Sequence, residues 1–256
     1  ARHGLQYLSD ALFGEMNAGF ALPEAQKQLR ELAGGDVLRY EQYLDFLKFR
    51  KFRQTLLCHS GVALDRSLPP ERLRGLFVSS SAVRVASPHQ AAADVETFER
   101  HKGPSASTNN PAVKAILNRL IGRWPQSERF EDLHTLAEER VVAEVLLKLY
   151  GATLVEFHAY RPPVAGAPGT RPEASPLARF QAREYLVVTT LRHSQVEIPD
   201  PLSRRVLQLL DGTRDREALL DELTIHTFGT PRETLEAQLE GSLAELTRLG
   251  LLIERP

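Results

Sequence analysis

Four cations, Lys48, Arg50, Lys51 and Arg53, crowd one short stretch of this chain, with Tyr40 a few residues upstream. Recognition of a partner by charge is the chemistry such a cluster can do, and a solvated basic face is the plainer reading. Tyr40, Lys48, Arg50, Lys51 and Arg53 are therefore the candidate partner- or substrate-binding residues. Cys58 and His59 could be imagined as a thiolate and its base. Neighbouring residues of a strand point to opposite faces, however, so the two side chains cannot easily share a hydrogen bond. The eight histidines fall at no metal-ligand spacing, and a lone cysteine excludes both an internal disulfide and a cysteine-based zinc cluster. No catalytic, cofactor-binding or metal-binding residue is assigned.

The larger catalytic motifs are missing from the sequence. There is no GxxxxGK[ST], HExxH or GxSxG pattern, and no glycine-rich turn between a strand and a helix of the kind that lets backbone N–H groups approach a nucleoside cofactor. Gly34-Gly35-Asp36 follows a helical segment and reads as its stop. The 256 residues are 42% hydrophobic and 25% charged with a net charge of −1, an ordinary globular composition that offers no electrostatic attraction to nucleic acid or an anionic membrane. No apolar run reaches the roughly 18 to 20 residues that cross a bilayer. With no signal peptide either, the expected location is cytoplasmic. The chain opens at Ala1 without a Met, which suggests a fragment or a trimmed chain.

The elements that must position the basic cluster are legible on both sides of it. Pro23 begins a helix whose face would carry Ala25, Leu29, Leu32 and Ala33, closed by Gly34-Gly35. Tyr40, Tyr43, Leu44 and Leu47 recur at helical spacing with Glu41, Asp45 and Lys48 on the opposite face. Tyr43 and Phe46 are expected to be buried. From Phe52 the run FRQTLLCH reads as a strand. Residues 76 to 86 suggest another strand, and 87 to 110 a long loop or boundary.

Further on, Asn110-Pro111 should start a helix carrying Ile116, Leu117 and Leu120. Ser127 should cap a second through Phe130, Leu133 and Leu136, and a third carries Val142, Val145, Leu146 and Leu149. A strand follows at TLVEFHAY. Residues 161 to 175, rich in Pro and Gly, read as a linker with nothing to bury. The last region then offers strand material in EYLVVTTLRHSQVEI, a helix from Asp200-Pro201, one capped by Thr213, and a final helix opened by Thr230-Pro231-Arg232-Glu233. That helix would bury Leu235, Leu239, Leu243, Leu246 and Leu249. LKLYGATLVE (147 to 156) and LTRLGLLIE (246 to 254) share a leucine stripe, a glycine stop and a short strand, so either a duplication or convergent capping explains them.

The expected fold is α+β and helix-rich: a small α/β N-terminal region followed by two winged-helix-like units. The divisions fall at 1 to 103, 104 to 160, a linker at 161 to 180, and 181 to 256.

The stretch RYEQYLDFLKFRKFRQTLLCH (39 to 59), together with GLQYLSDA (4 to 11), resembles the predicted regulatory domain of a family of bacterial class I S-adenosylmethionine-dependent methyltransferases that includes protein lysine methyltransferases. The rest resembles that family's middle and C-terminal winged-helix regions more loosely. The resemblance implies a non-catalytic regulatory and substrate-recognition portion whose catalytic domain is missing from this chain. S-adenosylmethionine would then bind in that missing domain, and no cofactor is expected in this chain. The implied partners are the catalytic domain and a protein substrate, with a homodimer in addition, and neither nucleic acid nor membrane. Two alternatives stand beside it: a winged-helix DNA-binding regulator, and a peptide-binding module, because VLQLLDGTRDREALLDEL resembles the core of small PqqD-type domains. The third helix of each winged-helix-like unit carries more acids than bases, which weighs against DNA.

Overall fold

The computed structural model describes residues 3–16, 23–86, 94–100, 103–226 and 229–255. Its apolar side chains gather into three clusters that follow the order of the chain.

The N-terminal unit pairs strand β1 (Leu5–Asp10) antiparallel with β2 (Thr55–His59), across helices α1 (Pro23–Ala33) and α2 (Val37–Lys48). Its core is small: Leu29 and Leu44, with Tyr40 and Tyr43 packed against them. The expected helix faces are only half right. Leu32 and Leu47 are exposed and Phe46 is 77% exposed, whereas Glu41, expected in solvent, is 1% exposed. The core here is small, and the packing of α2 against α1 selects Tyr40, Tyr43 and Leu44.

The middle unit contains two three-stranded antiparallel sheets, β7-β3-β8 and β4-β5-β6. They are built from β3 (Phe77–Ser79), β4 (Val83–Val85), β5 (Glu96–Glu99), β6 (Ser105–Thr108), β7 (Glu128–Arg129) and β8 (Glu156–His158). Helices α3 (Pro111–Arg123) and α4 (Glu139–Gly151) cover a core of Phe98, Ile116, Leu117, Phe130 and Leu146, all fully buried. The strand expected over 76 to 86 is two short strands in different sheets, because the chain turns at Ser80, whose hydroxyl donates to Leu154 O at 2.7 Å. The expected loop at 87 to 110 lies partly outside the described residues. Its described part contains β5 and β6, which pair with each other across position 103/104, the division expected from sequence. Asn110 caps α3 as expected, its side chain accepting from Ala112 N and Val113 N. Ser127 caps nothing. It is buried ahead of a 3-10 turn (Phe130–Thr135) where a helix was expected, since Arg129, N-terminal to that turn, is still paired to Phe77 in β7.

The C-terminal unit runs α5 (Pro176–Gln181), a β9 (Val187–Thr189) and β10 (Gln195–Glu197) hairpin, α6 (Pro201–Leu209), α7 (Arg216–His226) and α8 (Arg232–Arg248). Leu235, Leu239, Leu243 and Leu246 form its buried stripe as expected. Two caps differ. Asp215, not Thr213, accepts from the first turn of α7 at Ala218 N, and Thr213 instead bonds Asp211. Pro231 precedes α8 with no side-chain cap. The Pro/Gly linker is ordered by more than its ends: Val164 and Ala174 bridge to Ile253 and Leu252 and are buried with Ala165. Small side chains fit against the closing segment where larger ones would not.

The units are stitched together by short-range contacts. Phe13 stacks on Tyr150 at 5.3 Å, and Gly14 comes so near α4 that a Cβ there would sit 2.5 Å from Gly151 O. Trp124 donates its indole N–H to Arg248 O at 2.8 Å, and the Arg192 guanidinium lies 4.0 Å from the Trp124 ring centroid.

Candidate functional site

Asp36 caps α2 through Leu38 N and Arg39 N, and Phe49 ends the helix in a left-handed conformation (φ 50°). That turn throws the chain back towards β2 and delivers the basic cluster underneath the helix instead of along its outer face. Arg50 reaches Asp10 Oδ2 at 2.6 Å, Glu15 O at 2.7 Å and Asp45 Oδ1 at 3.2 Å. Arg53 reaches Asp45 Oδ2 and the Glu41 carbonyl, both at 2.7 Å, and lies 3.6 Å from the Glu41 carboxylate. Lys48 donates to Glu15 O at 2.6 Å. Three of the five candidate residues thus close a knot of ions joining β1, α2 and the approach to β2. Tyr40 packs on the small core, and Lys51 alone of the five stands out in solvent.

Burial governs the protonation of this knot. Desolvation, reinforced by Asp10, raises the Glu41 carboxyl above its usual range in spite of Arg53 and Arg50. The Tyr7 phenol, buried beside the same carboxylates, is pushed up to about 12. Burial opposes the charge on Arg53, but its hydrogen bond to Asp45 and the pull of Asp10 more than offset this, and its pKa rises.

Beside the knot, Asp10, Leu12, Glu15, Arg50, Phe52, Arg53 and Gln54 line a cavity of about 270 Å³. Phe46, Phe49 and Phe52 are 77%, 88% and 78% exposed, and Phe52 shares the cavity wall with the exposed Leu12. These aromatics were missed in the sequence because Phe46 was expected in the buried face of a helix and Phe52 at the start of a strand. The left-handed Phe49, which breaks that helix, could not be seen.

Comparison with known proteins bears on both ends of the chain. Residues 1–59 match the sequence model described as "Predicted methyltransferase regulatory domain", and residues 170–229 match "PKMT, C-terminal winged helix domain". Both sequence models are named for parts of methyltransferases. The solved structure of PKMT2 from Rickettsia typhi in complex with AdoHcy has a TM-score of 0.80 over 98% of this chain and 56% of its own, at 20% identity. A second structure of that protein has a TM-score of 0.79 over the same shares. The uncharacterised protein RP789 of Rickettsia prowazekii (strain Madrid E) is 25% identical over 248 residues, 88% of this chain and 43% of the relative. RP027 of the same organism is 24% identical over 200 residues. The chain spans about half the length of the first of these relatives and of the solved structures.

These findings correct the functional expectation. The expectation of a detached non-catalytic portion with no cofactor in the chain does not stand as made, because it is set against the likeness to PKMT2, a protein solved with AdoHcy of whose length this chain covers 56%. Nearly the whole of this chain follows the architecture of a protein solved with AdoHcy.

Proposed function

We propose that this chain works in S-adenosylmethionine-dependent methyl transfer to a protein. The observation that carries the proposal is the presence of both methyltransferase-type segments in one chain whose fold follows PKMT2 over 98% of its length. The described residues do not fit the glycine cradle that holds such a nucleoside in class I sites. Every strand pairing among them is antiparallel, and Gly34-Gly35 closes α1 instead of joining a strand to a helix. No named side chain is therefore put on the transfer step.

What the side chains here supply is recognition of the protein. Phe46, Phe49 and Phe52 are three largely exposed aromatics before, at and after the left-handed turn that ends α2, and we take them together as the interaction surface. The ion knot behind it holds that face in place. We assign the face to the methyl-acceptor protein, in a cytoplasmic setting.

Nucleic acid is a poorer partner. On α8, Glu233, Glu236 and Glu240 accompany Glu245, while Arg232 is taken up by Glu217 and Asp221 and Arg248 by Glu245. Phosphates would meet carboxylates there. Among the described residues, no helix is long and apolar enough to cross a membrane.

The test is incorporation of labelled methyl groups from S-adenosylmethionine into added protein acceptors. The expected result is incorporation that falls at least tenfold when Phe46, Phe49 and Phe52 are replaced together by Ser, with circular dichroism unchanged. Absence of protein methylation across a broad acceptor panel, or salt-sensitive retention of duplex DNA, would reverse the proposal.

A further inference from the structure

A second recessed surface lies in the middle unit, away from the N-terminal knot. Phe77, Arg119, Arg123, Ser127, Glu128, Arg129, Asp132 and Arg161 surround a cavity of about 260 Å³. Arg119 and Arg123 are one helical turn apart on α3 and share one oxygen of Glu128, at 2.9 and 3.0 Å, each through its Nε. The Glu128 side chain is only 4% exposed, so it serves as a buried strut that orients both guanidinium groups. Arg129 lies 5.8 Å from the Phe77 ring centroid and keeps a long contact (3.8 Å) with Glu131. Arg161 is held from outside the cavity by Glu254 at 2.9 Å.

Each of these four arginines keeps about half its side chain in solvent. Arg119, Arg123 and Arg129 are all held through Nε, so their terminal N–H groups, the pair that grips a carboxylate side by side, make no hydrogen bond among the described residues. Four guanidinium groups and the carboxylates of Glu128 and Asp132 line the cavity, while Glu131 and Glu254 contact Arg129 and Arg161 from beyond its lining.

The second observation is independent of charge. Ser127 is 7% exposed, lines the same cavity, and its hydroxyl has no hydrogen-bond partner. A buried hydroxyl left unsatisfied costs stability, and such groups are rare without a reason. An oxygen of a bound ligand would satisfy it.

We propose that this cleft binds the carboxylate side chains of an acidic peptide segment, one carboxylate reaching Ser127 and the arginines of α3 and the next lying between Arg129 and Arg161. The inference rests on the reading of this chain as acting on proteins and names a feature of the acceptor: a run of Asp or Glu. Several separated guanidinium groups suit several linked anions better than one compact ion.

The test is direct binding, which needs no methyl transfer and so stands or falls apart from the proposed activity. A fluorescein-labelled Glu-rich decapeptide is titrated into the full chain by anisotropy, against a charge-neutral peptide of equal length and with inorganic phosphate as competitor. Expected are saturable binding of the acidic peptide only, weakening with added salt, and at least tenfold loss in the Arg129→Gln/Arg161→Gln double variant, which leaves the buried Glu128 strut intact. Ser127→Ala should weaken binding several-fold while leaving the melting temperature unchanged or higher, a combination that a diffuse basic surface would not produce. Equal binding by wild type and the double variant, no effect of Ser127→Ala, or binding of phosphate without the peptide would each overturn the proposal.

Discussion

Arg50 Nη1 lies 2.6 Å from Asp10 Oδ2, with the two side chains 10% and 3% exposed, and this pair fastens the segment after α2 to the end of β1. An ion pair so far out of water stabilises the fold only as a pair. Removing the cation leaves Asp10 buried, and Asp45 loses one of its two arginines. Arg50→Ala should therefore cost about 3 to 5 kcal/mol, read by urea denaturation. Lys51→Ala, on an exposed residue, should change stability by less than about 0.5 kcal/mol. Equal effects of the two would show that the knot is solvated.

The aromatics next to it should behave in the opposite way. Leu44→Ala removes a fully buried side chain and should cost about 2 to 5 kcal/mol, whereas Phe46→Ala should stay within about 0.5 kcal/mol. Phe49→Gly should raise stability by up to about 1 kcal/mol, because φ 50° strains any residue with a Cβ and the ring is 88% exposed. A destabilising Phe49→Gly would mean that the ring packs in the folded chain.

Glu41 gives a pH signature. Its folded pKa is raised, so the folded state holds the proton more tightly than the unfolded chain. Its contribution is most favourable at acid pH and is lost as pH rises from the unfolded carboxyl value through the folded one. Glu41→Gln imitates the protonated form. The substitution should raise the melting temperature at pH 7 and lose this advantage towards pH 4. A melting temperature lowered at pH 7 would mean that pairing with Arg53 outweighs desolvation.

The contact between the middle and C-terminal units has a built-in reporter, since Trp124 is the one tryptophan in the chain. Arg192 covers its ring and also donates to Ser79 Oγ at 3.3 Å. Arg192→Ala should cost about 1 to 2 kcal/mol, the scale of a partly desolvated cation–π contact, and should expose Trp124 to acrylamide quenching. Unaltered quenching would indicate that the ring is shielded by other groups.

Local chemistry was legible in the sequence wherever it is settled within a few residues. Asn110-Pro111 and Asp200-Pro201 start helices because a short polar side chain and a ring-locked φ act on their own turn. The leucines of α8 mark its buried face because the helix period alone brings them together. The α+β class and the winged-helix C-terminal unit followed from such signals.

What tertiary structure decided is the fate of residues whose spacing allowed two answers. Glu41 and Phe46 exchanged their expected environments because the packing of α2 against α1 turns Glu41 inward beside Arg53 and the ion knot, at a desolvation cost to its carboxylate, and leaves Phe46 outside. Arg50 and Arg53 were visible as charges but not as ties, since their partners lie about 40 residues away or across a left-handed turn. Ser127 looked like a helix cap and became an unsatisfied hydroxyl in an arginine cleft, because β3 claimed the backbone that follows it. Sequence periodicity reports one element at a time. Which charged group is buried, and which aromatic is left in solvent, depends on the neighbouring element packed against it.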